Sequence, residues 1–235
     1  MKKIREFFIY NIIIIFILVC LTGCSLNKNN EEKSKSKTES EINYVEDTVL
    51  KILNKYAKGE YHKKDDNNII DWKSIQDDEK NLLSSLDTII LDLSEIDVKN
   101  EDVINLSNEL NNLIVITSEE DEALMVSKLK DIYSLIPGFV ESFEKDQNIV
   151  NKKRLRELII SCYNLANQEK WDDAKTEITN LENKYKEMMN DLNYAENNSY
   201  NLNNVYVLIE EFKNAIELQN REIINLKYIN LIEKT

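Results

Sequence analysis

Cysteine and histidine, the side chains most used for metal binding and nucleophilic catalysis, are scarce in this sequence. Four of the 235 residues are of these types, namely Cys20, Cys24, His62 and Cys162. A structural zinc site takes four such ligands at short spacings, and His62 and Cys162 are isolated, so we predict no metal site from them. His62 lies in a polar run, which indicates an exposed loop residue. Cys162 lies between Ile159 and Leu165, which indicates a buried and inert thiol.

Carboxylates are abundant, but their spacing selects no active site. The runs Asp65-Asp66-Asn67-Asn68 and Glu119-Glu120-Asp121-Glu122 could bind a hard cation through oxygen, yet neither has the alternating ligands and glycine of a calcium loop. The second run has a simpler interpretation, since acidic side chains in the first turn of a helix complement its dipole. With only three glycines there is no phosphate-binding loop or dinucleotide fingerprint. We therefore expect no catalytic residue, no metal and no cofactor.

The clearest chemical signal is the segment that ends at Cys24. Lys2, Lys3 and Arg5 precede an apolar stretch from Phe7 to Leu21, which is interrupted only by Asn11. The small residues Thr22 and Gly23 then lead to the cysteine. A basic start, an apolar centre and a small-residue cleavage site are the layout of a secretory signal peptide.

Leu21-Thr22-Gly23-Cys24 resembles the lipobox of bacterial lipoproteins, and the Lys-, Asn- and Ile-rich composition is similar to that of Firmicutes. The resemblance implies that residues 1–23 are removed and that Cys24 carries the lipid. The chain would then be held on the extracytoplasmic face of the cell membrane. The alternative is an uncleaved membrane anchor, but the unbroken apolar run 12–21 is short beside the ~20 residues of a spanning helix.

The charge of the chain narrows the range of partners. The net charge is −13, and removal of residues 1–23 would take away three basic residues and one acidic residue and leave −15. A body this acidic is repelled by phosphate backbones, so we expect no nucleic-acid partner. We expect the membrane to be contacted through the lipid on Cys24 alone.

Glycine and proline are too rare for a protein built from strands. Three glycines and one proline in 235 residues cannot supply the tight turns of a sheet protein, so the sequence predicts an all-α bundle of about six or seven helices. Residues 24–41 are polar and predict a flexible tether. The domain is then 42–235, either as one body or as two lobes that meet near 146–151.

Apolar residues at intervals of three and four predict the helices of this domain. The predicted segments are a helix from 42 to Gly59, a polar loop to Asn68, and helices over 70–94, 100–116 and 149–168. Thr117 and Glu120 are spaced as in a capping box and predict the start of another helix, which Pro137-Gly138 should end or kink. That helix should carry Leu124 on its inner face.

The last third of the chain has the most regular pattern. One apolar register runs from Trp171 through Leu181 and Phe212 to Leu226, across the Asn-rich centre 197–204. We predict an antiparallel hairpin that turns near this centre, with Leu181 and Tyr185 facing Phe212 and Ile216. A single helix of 56 residues is the alternative, and it would be about 84 Å long at ~1.5 Å per residue.

These features predict a non-enzymatic binding or scaffolding lipoprotein of the cell envelope with a protein partner. The mature part also resembles helical lipoproteins of Firmicutes that have no known function. One alternative is a solute- or metal-binding lipoprotein of a transport system, which predicts a pocket with converging polar groups. A helical envelope hydrolase is the other, and it predicts two carboxylates of perturbed pKa in one groove.

Overall fold

The computed structural model describes residues 37–63, 66–94, 98–190 and 192–235. Within these ranges the chain is all-α apart from one short β-hairpin, which confirms the predicted class, and nine helices replace the six or seven expected. The elements are α1 over 37–57, β1 His62–Lys63, β2 Asp66–Ile70, α2 Trp72–Ser84, α3 Leu86–Ser94, α4 Asn100–Ser118, α5 Glu122–Phe143, α6 Gln147–Asn167, α7 Trp171–Asn190, α8 Leu192–Glu217 and α9 Arg221–Lys234.

Helices that follow one another along the chain pack side by side from α4 to α9, and α9 also returns onto α6. Helix α1 joins this body through Glu46, which accepts a hydrogen bond from Tyr133 of α5 and is paired with Lys153 and Arg156 of α6. One cluster of buried apolar side chains includes residues on both sides of 146–151. The two-lobe alternative stays a prediction. Among the described residues, no helix is both long enough and apolar enough to cross a membrane.

Asp and Asn side chains cap the N-termini of four helices. Asp71, Asp121 and Asp146 accept hydrogen bonds from the backbone N–H groups of Ser74, Leu124 and Asn148, and Asn220 does the same for Ile223. Such caps satisfy N–H groups that have no partner within the helix. The predicted capping role of Thr117 is wrong, because its hydroxyl is buried and donates instead to Glu79.

Two predicted boundaries in the first half of the chain differ from the structure. The helix expected over 70–94 breaks at Ser85, where the hydroxyls of Ser84 and Ser85 both donate to the carbonyl of Asn81. Such bonds compete with the helical ladder. Conversely, α5 does not end at Pro137 but continues to Phe143, so the predicted end is wrong and the predicted kink stays a prediction. A proline inside a helix costs about 3 kcal/mol, and burial of Pro137 with its neighbours Ile136 and Phe139 offsets that cost.

Other expectations need correction at the level of single residues. Helix α1 already includes residues 37–41, which we expected in the tether. The polar loop before Asn68 contains the β-hairpin. Leu124, predicted to face inward, is 51% exposed, and the next two residues, Met125 and Val126, are buried in its place.

The C-terminal segment forms the predicted antiparallel pair and not one long helix. Helices α7 and α8 pack together, and Lys213 donates to Glu182 at 2.8 Å. Leu181 and Phe212, the neighbours of these two residues, are fully buried. The first helix ends at Asn190, before the predicted turn at 197–204.

The second helix of this pair also ends earlier than predicted. Helix α8 stops at Glu217, and α9 begins after the cap Asn220. Ile223 and Leu226 therefore leave the apolar seam and are 37% and 53% exposed.

Candidate functional site

Four helices end in left-handed residues at the same end of the molecule. Gly59, Glu120, Glu169 and Gln219 have φ values of 70°, 59°, 56° and 53° and follow α1, α4, α6 and α8. Contacts between Tyr56 and Glu122, and between Arg221 and Glu169, connect these turns. We call this end, which also carries the β-hairpin, the hairpin end. The opposite end, where Lys37 is paired with Asp92, is the tether end.

The larger cleft at the hairpin end lies between the end of α1 and helix α9, and we call it the α9 cleft. Its volume is about 930 Å³. The lining residues are Tyr56, Ala57, Lys58, Gly59, His62, Arg221, Glu222, Asn225, Leu226 and Ile229. Polar groups and apolar side chains therefore share one open surface, which suits an amphipathic ligand better than a purely charged one.

Arg221 fixes one wall of the α9 cleft. Its guanidinium donates to the carbonyl of Asn167 at 3.1 Å and to the carboxylate of Glu169 at 2.9 Å. The first residue of α9 is thereby held on the C-terminus of α6, where the helix dipole also favours a cation.

Tyrosines lie beneath the same wall. Tyr56 donates a hydrogen bond to Glu122, and burial, followed by this hydrogen bond, raises the pKa of Tyr56 well above its usual value. The rings of Tyr163 and Tyr228 stack with centroids 4.1 Å apart, and both residues are fully buried. The hydroxyl of Tyr228 has no hydrogen-bond partner among the described residues. The neutral phenol is the form that such burial favours.

A second cleft lies between the β-hairpin and the start of α5, and we call it the α5 cleft. Its volume is about 460 Å³. It is lined by Lys63, Ile69, Ile70, Asp71, Trp72, Lys73, Glu120 and Glu122. Ile69 is 44% exposed, and Trp72 is half-buried. An aromatic and apolar wall therefore faces exposed carboxylates across a small space.

The carboxyl groups with perturbed pKa lie outside these clefts. Burial raises the pKa of Glu79 to about 7, although the hydrogen bond from Thr117 opposes it. Burial would also raise the pKa of Asp78, but hydrogen bonds from Lys51, Lys55 and Tyr61 outweigh it and lower that pKa to about 2. These two carboxyls connect α2 to Lys55 of α1 and to Thr117 of α4, and neither lines the α9 or the α5 cleft.

The predictions made from the sequence for single cysteine and histidine residues agree only in part with the structure. Cys24 lies outside the described residues, as do residues 1–36 and Asp65. Cys162 is a free and fully buried thiol, as predicted. His62 is not an exposed loop residue, because it lies in β1, is half-buried and donates from Nδ1 to the carbonyl of Gly59 at 3.1 Å.

In the acidic run 119–122 at the start of α5, some side chains make structural hydrogen bonds and others are exposed. Asp121 caps the helix, Glu122 accepts from Tyr56, and Glu120 lines the α5 cleft. Within the described part of the chain, no three His, Cys, Asp or Glu side chains are placed to hold one metal ion.

Trp72, Arg221 and Asn225 line the clefts without having been singled out in the sequence. They come from segments about 150 residues apart, and no local pattern marks them. The order of the turns along the chain could have predicted this site. In an up-and-down bundle successive turns alternate between the two ends, so the turns at Gly59, Glu120, Glu169 and Gln219 lie at the same end.

Comparison with protein-family models found no match, and comparison with curated proteins and with solved structures found none either. The geometry of the hairpin end is therefore the basis for assigning a function.

Proposed function

We propose that this chain is a lipoprotein, anchored through a lipid on Cys24 to the extracytoplasmic face of the cell membrane, that binds a protein partner of the envelope. Its role is binding or scaffolding and not catalysis. The hairpin end is the binding surface.

The observation that carries the proposal is the distribution of exposed apolar side chains. Of the eleven large apolar side chains that are exposed in the described residues, five lie on the hairpin end or on the first two turns of α5 and α9, namely Ile69, Leu124, Leu218, Ile223 and Leu226. The other six are spread over α3, α4, α6 and α8. Leu218 is 71% exposed. Apolar groups that surround open clefts and are bordered by polar residues are typical of protein interaction surfaces.

The position of the anchor supports the same surface. The first described residue, Lys37, lies at the tether end, and α1 runs from there to Ala57, next to Gly59 at the hairpin end. The 20 residue steps from Lys37 to Ala57 span about 30 Å at ~1.5 Å per residue. A lipid on Cys24 would therefore hold the tether end toward the membrane and leave the hairpin end directed away from it.

Site-specific photocrosslinking in intact cells tests the proposal. A photoreactive amino acid at Leu226 or Leu124 would replace an exposed apolar side chain of the hairpin end. Ile104, which is 59% exposed on α4 near the tether end, provides the matched control. We expect Leu226 and Leu124 to give the same discrete protein adduct and Ile104 to give none.

Two results would contradict this surface. Adducts of equal yield from all three positions would mean that crosslinking reports proximity alone. A discrete adduct at Ile104 with none at Leu124 and Leu226 would place the partner at the tether end.

A second candidate, a solute-binding lipoprotein of a transport system, is favoured by one observation. The α9 cleft, at about 930 Å³, lies within the ~300–1,000 Å³ range of ligand pockets, and Arg221, Asn225 and His62 supply polar groups. A small molecule that co-purifies with the intact chain, and is lost in Asn225→Leu, would support this candidate over the protein partner.

A further inference from the structure

We propose that the α5 cleft binds a lysine or arginine side chain from a cationic, partly apolar segment of the partner. This inference rests on the proposed function, because it gives the chemistry of the partner that the hairpin end would bind.

The apolar wall of the cleft can contact the methylene stem of a lysine or arginine side chain, and its tryptophan can attract the cationic group. Trp72 is half-buried beside Ile69 and Ile70. Lysine and arginine lay their methylene stems along apolar surface while the charged group stays in contact with polar atoms. Tryptophan is also the aromatic residue that attracts a cation most strongly.

The opposite wall of the cleft carries two carboxylates. Glu120 and Glu122 are exposed and line the cleft, and neither is in an ion pair among the described residues. Glu122 is held in place because it accepts a hydrogen bond from Tyr56. Glu119 and Asp121 flank these two residues, so the turn presents four consecutive acidic side chains.

The remaining charged groups leave this balance negative. Asp71 also lines the cleft, although its carboxylate accepts from the backbone and hydroxyl of Ser74. Lys63 and Lys73 are the cationic residues of the lining. Three carboxylates against two ammonium groups, beside Glu119 and Asp121 on a chain of net charge −13, favour a cationic occupant over an anionic one.

The size of the cleft limits what enters it. A volume of about 460 Å³ is at the lower part of the ~300–1,000 Å³ range of ligand pockets. It accommodates one long side chain with an apolar neighbour and does not accommodate a helix. The partner would therefore be anchored by single residues of a segment that continues over Ile69 and the hairpin.

Short peptides provide the test. The full lipidated chain in phosphatidylcholine nanodiscs would be titrated calorimetrically with acetyl-Ala-Arg-Ile-Arg-Ala-amide, and with the same peptide carrying Glu in place of Arg. Empty nanodiscs correct for binding to lipid. We expect the Arg peptide to bind more tightly than the Glu peptide, and its affinity to fall as NaCl is raised.

Substitutions localise that binding. Glu120→Gln with Glu122→Gln keeps the side-chain shapes and the acceptor for Tyr56, and we expect the Arg peptide to bind about three- to tenfold more weakly, as for loss of two exposed charge pairs. Asp87→Asn with Glu101→Gln removes the same charge from exposed positions outside the cleft and should change the affinity less than about twofold.

The outcomes separate this inference from the proposed function. Equal weakening by both double variants would show a diffuse charge effect and would overturn the site, as would equal binding of the Arg and Glu peptides. If Leu124 and Leu226 still crosslink to an envelope protein in that case, the proposed function stands and only the cationic anchor fails. Crosslinks confined to Ile104 would instead overturn the proposed function.

Discussion

At the scale of single residues, the most consequential side chain is Glu46. It is 2% exposed and accepts from Tyr133 at 2.8 Å and from Arg156 at 3.0 Å, and it is also paired with Lys153. A buried carboxylate is tolerated only when it is paired and hydrogen-bonded in this way. Because its partners lie on α5 and α6, this residue fixes α1, and with it the hairpin end, to the rest of the bundle.

Replacement of Glu46 should therefore destabilise the whole fold. Glu46→Ala leaves the cations of Lys153 and Arg156 without a counter-charge in a partly buried site. We expect a loss of about 3–5 kcal/mol in the free energy of unfolding, measured by urea denaturation. Asp47→Ala, at the exposed neighbouring position of α1, should change it by less than about 0.5 kcal/mol. Equal effects of the two substitutions would show that the cluster is not a stabilising contact.

Glu79 gives the stability a specific dependence on pH. Burial raises its pKa from 4.5 to about 7. The folded state therefore holds the proton more tightly than the unfolded state, and this contribution is fully present below pH ~4.5 and is lost as the pH rises through about 7. At about 1.4 kcal/mol per pKa unit, the loss reaches about 3 kcal/mol.

The variant Glu79→Gln cannot ionise, so we expect it to be more stable than the native chain by up to about 3 kcal/mol at pH 8 and by much less at pH 5. Asp77→Asn, an exposed carboxyl on the same helix, is the matched control. Urea denaturation at both pH values measures the difference. An advantage of Glu79→Gln that is the same at pH 5 and pH 8 would contradict the assignment.

At the scale of helices, the spacing of apolar residues predicted most of the helices. It did not predict where they end, because the ends depend on particular hydrogen bonds and on packing against other helices. The helices over 100–116 and 149–168 agree with α4 and α6 within a few residues. The break at Ser85 depends on hydroxyls that bond to Asn81, and the continuation through Pro137 depends on burial supplied by other helices. Tertiary packing overrides local propensity in the second case.

The clefts were less predictable than the helices. Trp72 and Glu122 line the α5 cleft and Arg221 lines the α9 cleft because helices α2, α5 and α9 all begin at the hairpin end. That arrangement follows from the direction of every helix in the bundle, so one misplaced boundary moves the site. The sequence analysis predicted one helix where the structure has α8 and α9. It therefore placed Leu226 in a buried seam, whereas Leu226 is exposed and lines the α9 cleft.

The pairing of α7 with α8 predicts the effects of two core truncations. Leu181 and Phe212 are both fully buried, beside the Glu182–Lys213 ion pair. Leu181→Ala and Phe212→Ala should each cost about 2–5 kcal/mol, as measured by urea denaturation. Val207→Ala, on an exposed position of α8, should cost less than about 0.5 kcal/mol.

Spin labels on the two helices test the pairing itself. Labels at the exposed or half-buried positions Lys184 and Asn214 should lie within about 25 Å, since packed helices have axes ~8–10 Å apart. One continuous helix would separate them by about 45 Å at ~1.5 Å per residue, and a distance of that size would refute the hairpin.

At the scale of the whole molecule, the two ends of the bundle differ in their position relative to the proposed lipid anchor. Lys37, which follows residues 25–36, lies at the tether end, and the hairpin end carries the α9 and α5 clefts. A smaller cleft of about 380 Å³, lined by residues of α3 and α4 such as Ile90 and Ile104, lies near the tether end. Under the proposed function residues 1–23 would be removed, and the resulting net charge of −15 would repel the body of the protein from an anionic membrane. Attachment would therefore depend on the acyl chains alone, and each buried CH₂ contributes about 0.8 kcal/mol.

In the proposed function, Cys24 is therefore the residue that determines where the protein is located. Cys24→Ala removes the thiol that the proposal has acylated, so we expect no incorporation of a labelled fatty acid and an unprocessed precursor. Cys162→Ala keeps Cys24 and removes the buried thiol, and it should be labelled and processed as the native chain is. Labelling in cells followed by electrophoresis distinguishes the mature and precursor forms. Because the diacylated form is held by two chains where one gives only marginal binding, the native protein should stay with membranes at high salt. Acyl label that persists in Cys24→Ala, or release of the native protein by salt, would mean that the body and not the lipid attaches this protein.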